Sequence, residues 1–175
     1  QQEWCQKGPL RDRQDIPKWA LDTDIWYWNW RPKERLGNHG RVPDLVPAIV
    51  DLKRRLQANM SFHWYEWDDR GFNGEMPEIF PLEQGAAAEL ADGLATLHAN
   101  DIHAIPYING RLWTTNPPEW EHKGAKLACR TPVGKVAWYD NHEGTAQICP
   151  YTKAWQEVML SVCEEIVGSY GLDGA

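Results

Sequence analysis

Four short runs rich in aromatic and β-branched residues recur along the chain, and between them the apolar positions switch to a helical spacing. The first run is Asp24-Ile-Trp-Tyr-Trp-Asn-Trp30. From Val42 to Asn59, the residues Leu45, Ile49, Leu52 and Leu56 fall at i, i+4, i+7 and i+11, which predicts a helix with one apolar stripe. Pro43 suits its first turn, and Lys53, Arg54 and Arg55 suit its last, where cations meet the negative end of the helix dipole. The second run is Ser61-Phe-His-Trp-Tyr-Glu-Trp67, followed by an Ala-rich helix from about Leu82 to Asn100 with Leu90, Leu94 and Leu97 on one stripe. The third run, Ile102-His-Ala-Ile-Pro-Tyr-Ile108, contains Pro106, which lacks a ladder donor and must stand at a strand end or a bulge. A third helix is predicted over Lys153 to Tyr170, carrying Trp155, Val158, Met159, Val162 and Ile166. Beyond Gly171, Leu172-Asp-Gly-Ala175 begins a fourth strand.

Strands alternating with helices predict parallel βαβ units with right-handed crossovers. Between Asn109 and Pro150 only Pro117 to Ala128 reads as helical, and the rest is taken as a long loop because regular patterns resume on both sides. A doubly wound sheet would carry a Gly-rich phosphate loop after its first strand, and here Trp28-Asn-Trp-Arg-Pro stands in that place. The remaining choice is an α/β barrel of eight units, whose site lies on the loops after each strand. The chain is therefore expected to be a partial (β/α)8 TIM barrel: the first four βα units, cut within strand four. It reads as one N-terminal half-barrel over 1–175, with a lead-in over 1–20 and the long loop over 109–150.

Charge narrows the partners. Lys and Arg number 18 against 25 Asp and Glu, a net charge of −7, where a phosphate backbone would want clustered positive charge. No apolar run approaches the roughly 18 residues that span a bilayer. Neither nucleic acid nor membrane is expected as a partner. The aromatic residues are 11 Trp against 3 Phe, an excess that a core would not ask for, since a buried Trp needs a partner for its N–H. Flat aromatic faces suit the C–H side of sugar rings. Cys5, Cys129, Cys149 and Cys163 show no metal-ligand spacing and read as small buried hydrophobes. The chain has no initiator Met and no signal-peptide pattern at its start, so any export signal would lie upstream. That leaves a secreted or periplasmic location open.

In a parallel barrel the strand ends face the active site. Strand one ends at Trp28, Asn29, Trp30 and Arg31; strand two at Trp64, Tyr65, Glu66, Trp67 and Asp68; strand three at Tyr107, Asn109, Arg111 and Trp113. Aromatic faces beside amides, carboxylates and guanidinium groups match what a polyhydroxylated ring requires. Trp28, Trp64 and Trp113 are candidates for stacking. Asn29, Arg31, Tyr65, Tyr107, Asn109 and Arg111 are candidates for hydrogen bonding. Asp140 and His142, with Trp138 and Tyr139, would come from the long loop closing one side of the cleft. Glu66 and Asp68 are the acidic side chains at these ends and the candidate acid/base groups. The six histidines show no ligand motif beyond His63-Trp-Tyr-Glu66, so no metal is expected, and no cofactor.

Five blocks carry a family resemblance: Trp26-Tyr-Trp-Asn-Trp-Arg31, His63-Trp-Tyr-Glu-Trp67, Ile105-Pro-Tyr-Ile-Asn-Gly-Arg-Leu-Trp113, Ile148-Cys-Pro150 with Trp155-Gln156, and Tyr170-Gly-Leu-Asp-Gly174. They resemble a bacterial family of barrel proteins assigned as glycoside hydrolases, an uncharacterised-domain family related to the retaining α-glycosidase superfamily. The resemblance runs from about residue 20 to the end. It implies a glycoside hydrolase working through two carboxyl groups, with this half supplying substrate-binding residues and the strand-four nucleophile falling just past Ala175, so that this chain alone would be inactive. Position 66 departs from the family, where an amide is the commoner residue. A non-catalytic carbohydrate-binding barrel would use the same aromatic clusters, and a metal-dependent hydrolase would need histidines the motifs lack.

Overall fold

Alternation along the strands decides which side chains meet the helices. The computed structural model describes residues 15–29, 42–68, 70, 75–116, 118–139 and 144–175. A short helix α1 (Lys18–Asp22) leads into β1 (Ile25–Trp28), followed by α2 (Val42–Leu56), β2 (Met60–Trp64), α3 (Gln84–His98) and β3 (His103–Pro106). The three strands form a parallel sheet in the order β1-β2-β3, with Trp28 opposite His63 and His63 opposite Ile105. Tyr27, Phe62, Trp64 and Ala104 therefore share one face, packed with Leu45, Ile49, Leu90, Leu94 and Leu97 of α2 and α3. Gly93 of α3 lets the helix approach so closely that an added Cβ would lie 2.5 Å from Val42 Cγ1 and 3.3 Å from the Trp64 ring.

The opposite face carries Trp26, Trp28, Ser61, His63, His103 and Ile105. Trp26 is 42% exposed and Trp28 55%, whereas Phe62 and Trp64 on the helix side are at most 1% exposed. Thr23 and Ser61 share a hydroxyl hydrogen bond of 2.7 Å beneath Trp26.

The loop over 109–150 is not irregular, as the sequence pattern had suggested. Strand β4 (Leu112–Thr114) pairs antiparallel with β5 (Thr145–Gln147), and bridges join Ala128 to Ile148, Arg130 to Val136 and Trp138 to Ala146. Between the strands a π-helical turn (Trp120–Gly124) runs into α4 (Ala125–Leu127). This insertion has its own core of Trp113, Ala128, Ala146 and Ile148, closed by Trp155 of α5 (Lys153–Gly168). The Trp155 indole N–H donates to the Gly110 carbonyl at 2.8 Å, so the polar handle of the buried ring is satisfied. After α5, Leu172 enters the main core and the Asp173 N–H donates to the Ala104 carbonyl at 3.0 Å. The fourth run thus reaches the free edge of β3, with one rung formed.

Candidate carbohydrate site at the strand ends

The C-terminal ends of the strands converge on an aromatic shelf. Tyr65 and Tyr107 stack with ring centres 4.4 Å apart and 12° between planes. Trp28 lies 6.0 Å from Tyr65, and His63 lies 5.0 Å from Tyr65 and 6.2 Å from Tyr107. Residues 63 and 65, and 105 and 107, share a face by the two-residue period of a strand, which is why His63 and Tyr65 point the same way. The ladder continues past the strands: the Tyr107 N–H donates to Trp64 O at 2.7 Å, and the Trp67 indole N–H to Tyr107 O at 3.0 Å. These bonds hold the shelf to the sheet.

Polar groups edge it. The Asn109 amide N–H2 donates to the Tyr107 hydroxyl at 3.3 Å, and its Oδ1 accepts the Arg111 N–H at 3.2 Å. The exposed Arg111 guanidinium sits 5.4 Å from the Tyr139 ring centre, so the insertion reaches the same end of the sheet. Burial raises the Tyr107 hydroxyl above the ordinary phenol range, with Tyr65 adding to it, which keeps Tyr107 a neutral donor and acceptor. Burial lowers His63, so its imidazole is neutral at physiological pH. Shelf, amide, guanidinium and neutral imidazole together offer stacking and hydrogen bonding without a fixed negative charge.

Several expected residues have other work. Trp64 lies on the helix face at 1% exposure, and Trp113 is equally buried, its indole N–H donating to Glu78 Oε1 at 3.1 Å. Neither offers a ring face to a sugar: Trp64 is on the wrong side of the strand, and Trp113 fills the insertion's core against Trp155 at 5.6 Å. Asn29 is buried with its amide spent on the backbone, donating to Tyr65 O at 3.0 Å and accepting Tyr65 N–H at 2.9 Å. It pins the end of β1 to the end of β2. Glu66 and Asp68 are both buried rather than solvated. Asp68 Oδ1 accepts the Arg70 N–H at 2.8 Å, closing a turn, and Glu66 takes the left-handed backbone at φ 52°. Arg31, Asp140 and His142 lie outside the described residues.

Tyr139, expected from the long loop, reaches the shelf beside Arg111, and His63 joins it without having been among the expected sugar ligands. For His63 the signal was present, since Tyr65 two residues on was expected in the site. A second cluster had no signal in spacing. At the opposite end of the sheet, His98 Nε2 and His103 Nδ1 each stand 2.9 Å from a carboxylate oxygen of Asp173. Burial would raise the Asp173 carboxyl, but the hydrogen bonds from His103, the Ala104 N–H and His98 outweigh it and hold the group below the usual carboxylate range.

The chain is similar to known proteins at two levels. "Putative glycoside hydrolase 22789" of Monosiga brevicollis is 25% identical over 193 residues, covering 98% of this chain and 16% of that relative. "Putative glycoside hydrolase" of Bacteroides thetaiotaomicron is 25% identical over 162 residues, covering 91% of this chain and 22% of that relative. The chain thus spans less than a quarter of the length of either. Among solved structures, the α-galactosidase TtGalA of Thermus thermophilus, in complex with p-nitrophenyl α-D-galactopyranoside, superimposes with a TM-score of 0.60 at 11% identity, covering 87% of this chain and 30% of that one. That likeness is one of fold: an α/β arrangement shared with glycosidases. The resemblance read from the aromatic blocks agrees with the names of the relatives. Matching over residues 1–175, the chain belongs to the family described as Domain of unknown function (DUF6259).

Proposed function

We propose that this chain is the N-terminal half of a (β/α)8 barrel in a glycoside hydrolase, and that the strand-end shelf holds a sugar of the substrate. In this reading residues 1–20 lead into the barrel, and the insertion over 109–150 forms one wall of the cleft. Trp28, Tyr65 and Tyr107 supply the apolar platform. Tyr107, Arg111 and His63 address hydroxyl groups, and Asn109 orients the Tyr107 hydroxyl. The observation that carries the reading is the convergence of Trp28, Tyr65 and Tyr107 at the C-terminal ends of three parallel strands. The names of the relatives support the reaction class.

The chemistry proposed is hydrolysis through two carboxyl groups flanking an oxocarbenium-like transition state. Glu66 and Asp68 are candidates for one of these, and the nucleophile belongs to strand four or beyond. Positioning by the shelf contributes where it strengthens in the transition state.

The test uses the whole protein and a panel of aryl α-glycosides. Trp28→Ala and Arg111→Ala are expected to lower kcat/KM at least about 10-fold, since each removes a contact to bound sugar. Unchanged kinetics in both variants would overturn the assignment of the shelf. Oligosaccharide binding with no hydrolysis of any glycoside would favour a carbohydrate-binding barrel instead.

A further inference from the structure

We propose that His98, His103 and Asp173 form a binding site for a divalent transition-metal ion, with Zn2+ the best match, at the end of the sheet opposite the sugar shelf. The three come from separate segments: His98 ends α3, His103 begins β3, and Asp173 follows α5. One ligand atom from each lies within 4.8 Å of the other two. Two imidazoles and one carboxylate are a donor set that Zn2+ accepts, with a fourth position left to water. Hard cations such as Mg2+ prefer oxygen ligands and would be poorly served by two ring nitrogens.

The separations fit a small rearrangement. Tetrahedral Zn2+ at about 2.0–2.1 Å from each ligand needs donors roughly 3.4 Å apart. The two histidine–carboxylate separations of 2.9 Å fall just inside that, and His98 stands exposed at a helix end, where its ring can turn to close the set. Asp173 accepts from both rings as a carboxylate, so the ring nitrogens facing it carry hydrogen. Binding would exchange these two N–H···O bonds for two N–metal bonds and one O–metal bond, each neutral ring shifting its hydrogen to its other nitrogen, so that the ligands are neutral imidazoles and no net proton is released.

Outer contacts already orient two of the three ligands. The Ala104 N–H donates to Asp173 Oδ2 at 2.8 Å, and the Trp19 indole stacks on the His103 ring at 4.5 Å and 15°. Such support is what holds ligands in place around metal ions. The half-exposed rings leave a path for the ion. Because the site joins the start of β3 to the chain after α5, an ion there would fasten the edge of the sheet. It would take no part in chemistry at the shelf.

The experiment is titration of the chelator-stripped full chain with ZnCl2 by calorimetry, alongside MgCl2, in the native protein and in His98→Gln and His103→Gln. One Zn2+ is expected to bind at micromolar dissociation constant or tighter, each variant weakening it at least about 10-fold, with no Mg2+ heat. Zn2+ should also raise the Tm of the native protein and leave that of His98→Gln unchanged. His98 is at an exposed helix end, so that variant remains interpretable if His103→Gln fails to fold. Co2+ should give the intense visible bands of a four-coordinate ion in the native protein and lose them in His98→Gln. Zn2+ binding of equal strength in the native protein and His98→Gln, or none in either, would overturn the proposal and leave the cluster as a pair of hydrogen bonds.

Discussion

His63 lies on the face of the sheet opposite the helices, and burial there sets its protonation. Its imidazole is held neutral by burial, so the folded protein takes up this proton at a lower pH than the unfolded chain, which does so near pH 6.5. Its contribution to stability is therefore full above about pH 6.5. It is lost progressively as the pH falls from there through the lower folded-state value. Urea unfolding followed from pH 7.5 to pH 5 should show a steeper loss in the native protein than in His63→Gln, which cannot take up the proton. Equal slopes would mean that His63 is solvated in the folded state. Position 64 makes the contrasting case. One residue further along the strand, the side chain turns to the helices, and Trp64 becomes core.

At the scale of elements, the fit of α3 on β2 depends on the missing Cβ of Gly93. Gly93→Ala would gain helix propensity but drive a methyl group into Val42, Val46 and the Trp64 ring. The clash should win, lowering stability by about 1–3 kcal/mol. Gly85 in the same helix has nothing within 4 Å of the corresponding position, and Gly85→Ala should be neutral or stabilising by up to about 1 kcal/mol. Chemical denaturation of the two variants checks the contrast. The helices were legible because apolar residues at helical spacing repeat over about two to three turns, and observed and expected ends differ by a few residues of fraying. The strands of the insertion were not legible: three residues of β4 and three of β5 are too short to show a period.

On the scale of the molecule, a parallel sheet is normally covered on both faces, and here one face still presents Trp26 and Trp28. The half-barrel reading places the remaining strands against that face. The purified 175-residue chain is expected to bind an apolar dye through those rings and to hydrolyse no aryl glycoside, while the longer protein hydrolyses the glycoside and binds less dye per chain. Turnover by the 175-residue chain would sink the half-barrel reading.

The sequence by itself determined the βαβ order, the apolar stripes of the helices, and the gathering of Trp28, Tyr65 and Tyr107 at strand ends, because period and polarity are local properties that survive in one dimension. It also carried, in the same aromatic blocks, the likeness to glycoside hydrolases. What only the tertiary structure decided was which aromatic faces stay open and which polar groups are already spent. Trp64 and Trp113 look like Trp28 in sequence, yet packing against α3 and Trp155 closes both rings. Asn29 reads as a sugar ligand until the register of β1 on β2 puts the Tyr65 backbone within its reach. His98, His103 and Asp173 meet because α5 returns the chain to the edge of β3, a contact across 70 residues between His103 and Asp173 that no spacing rule encodes.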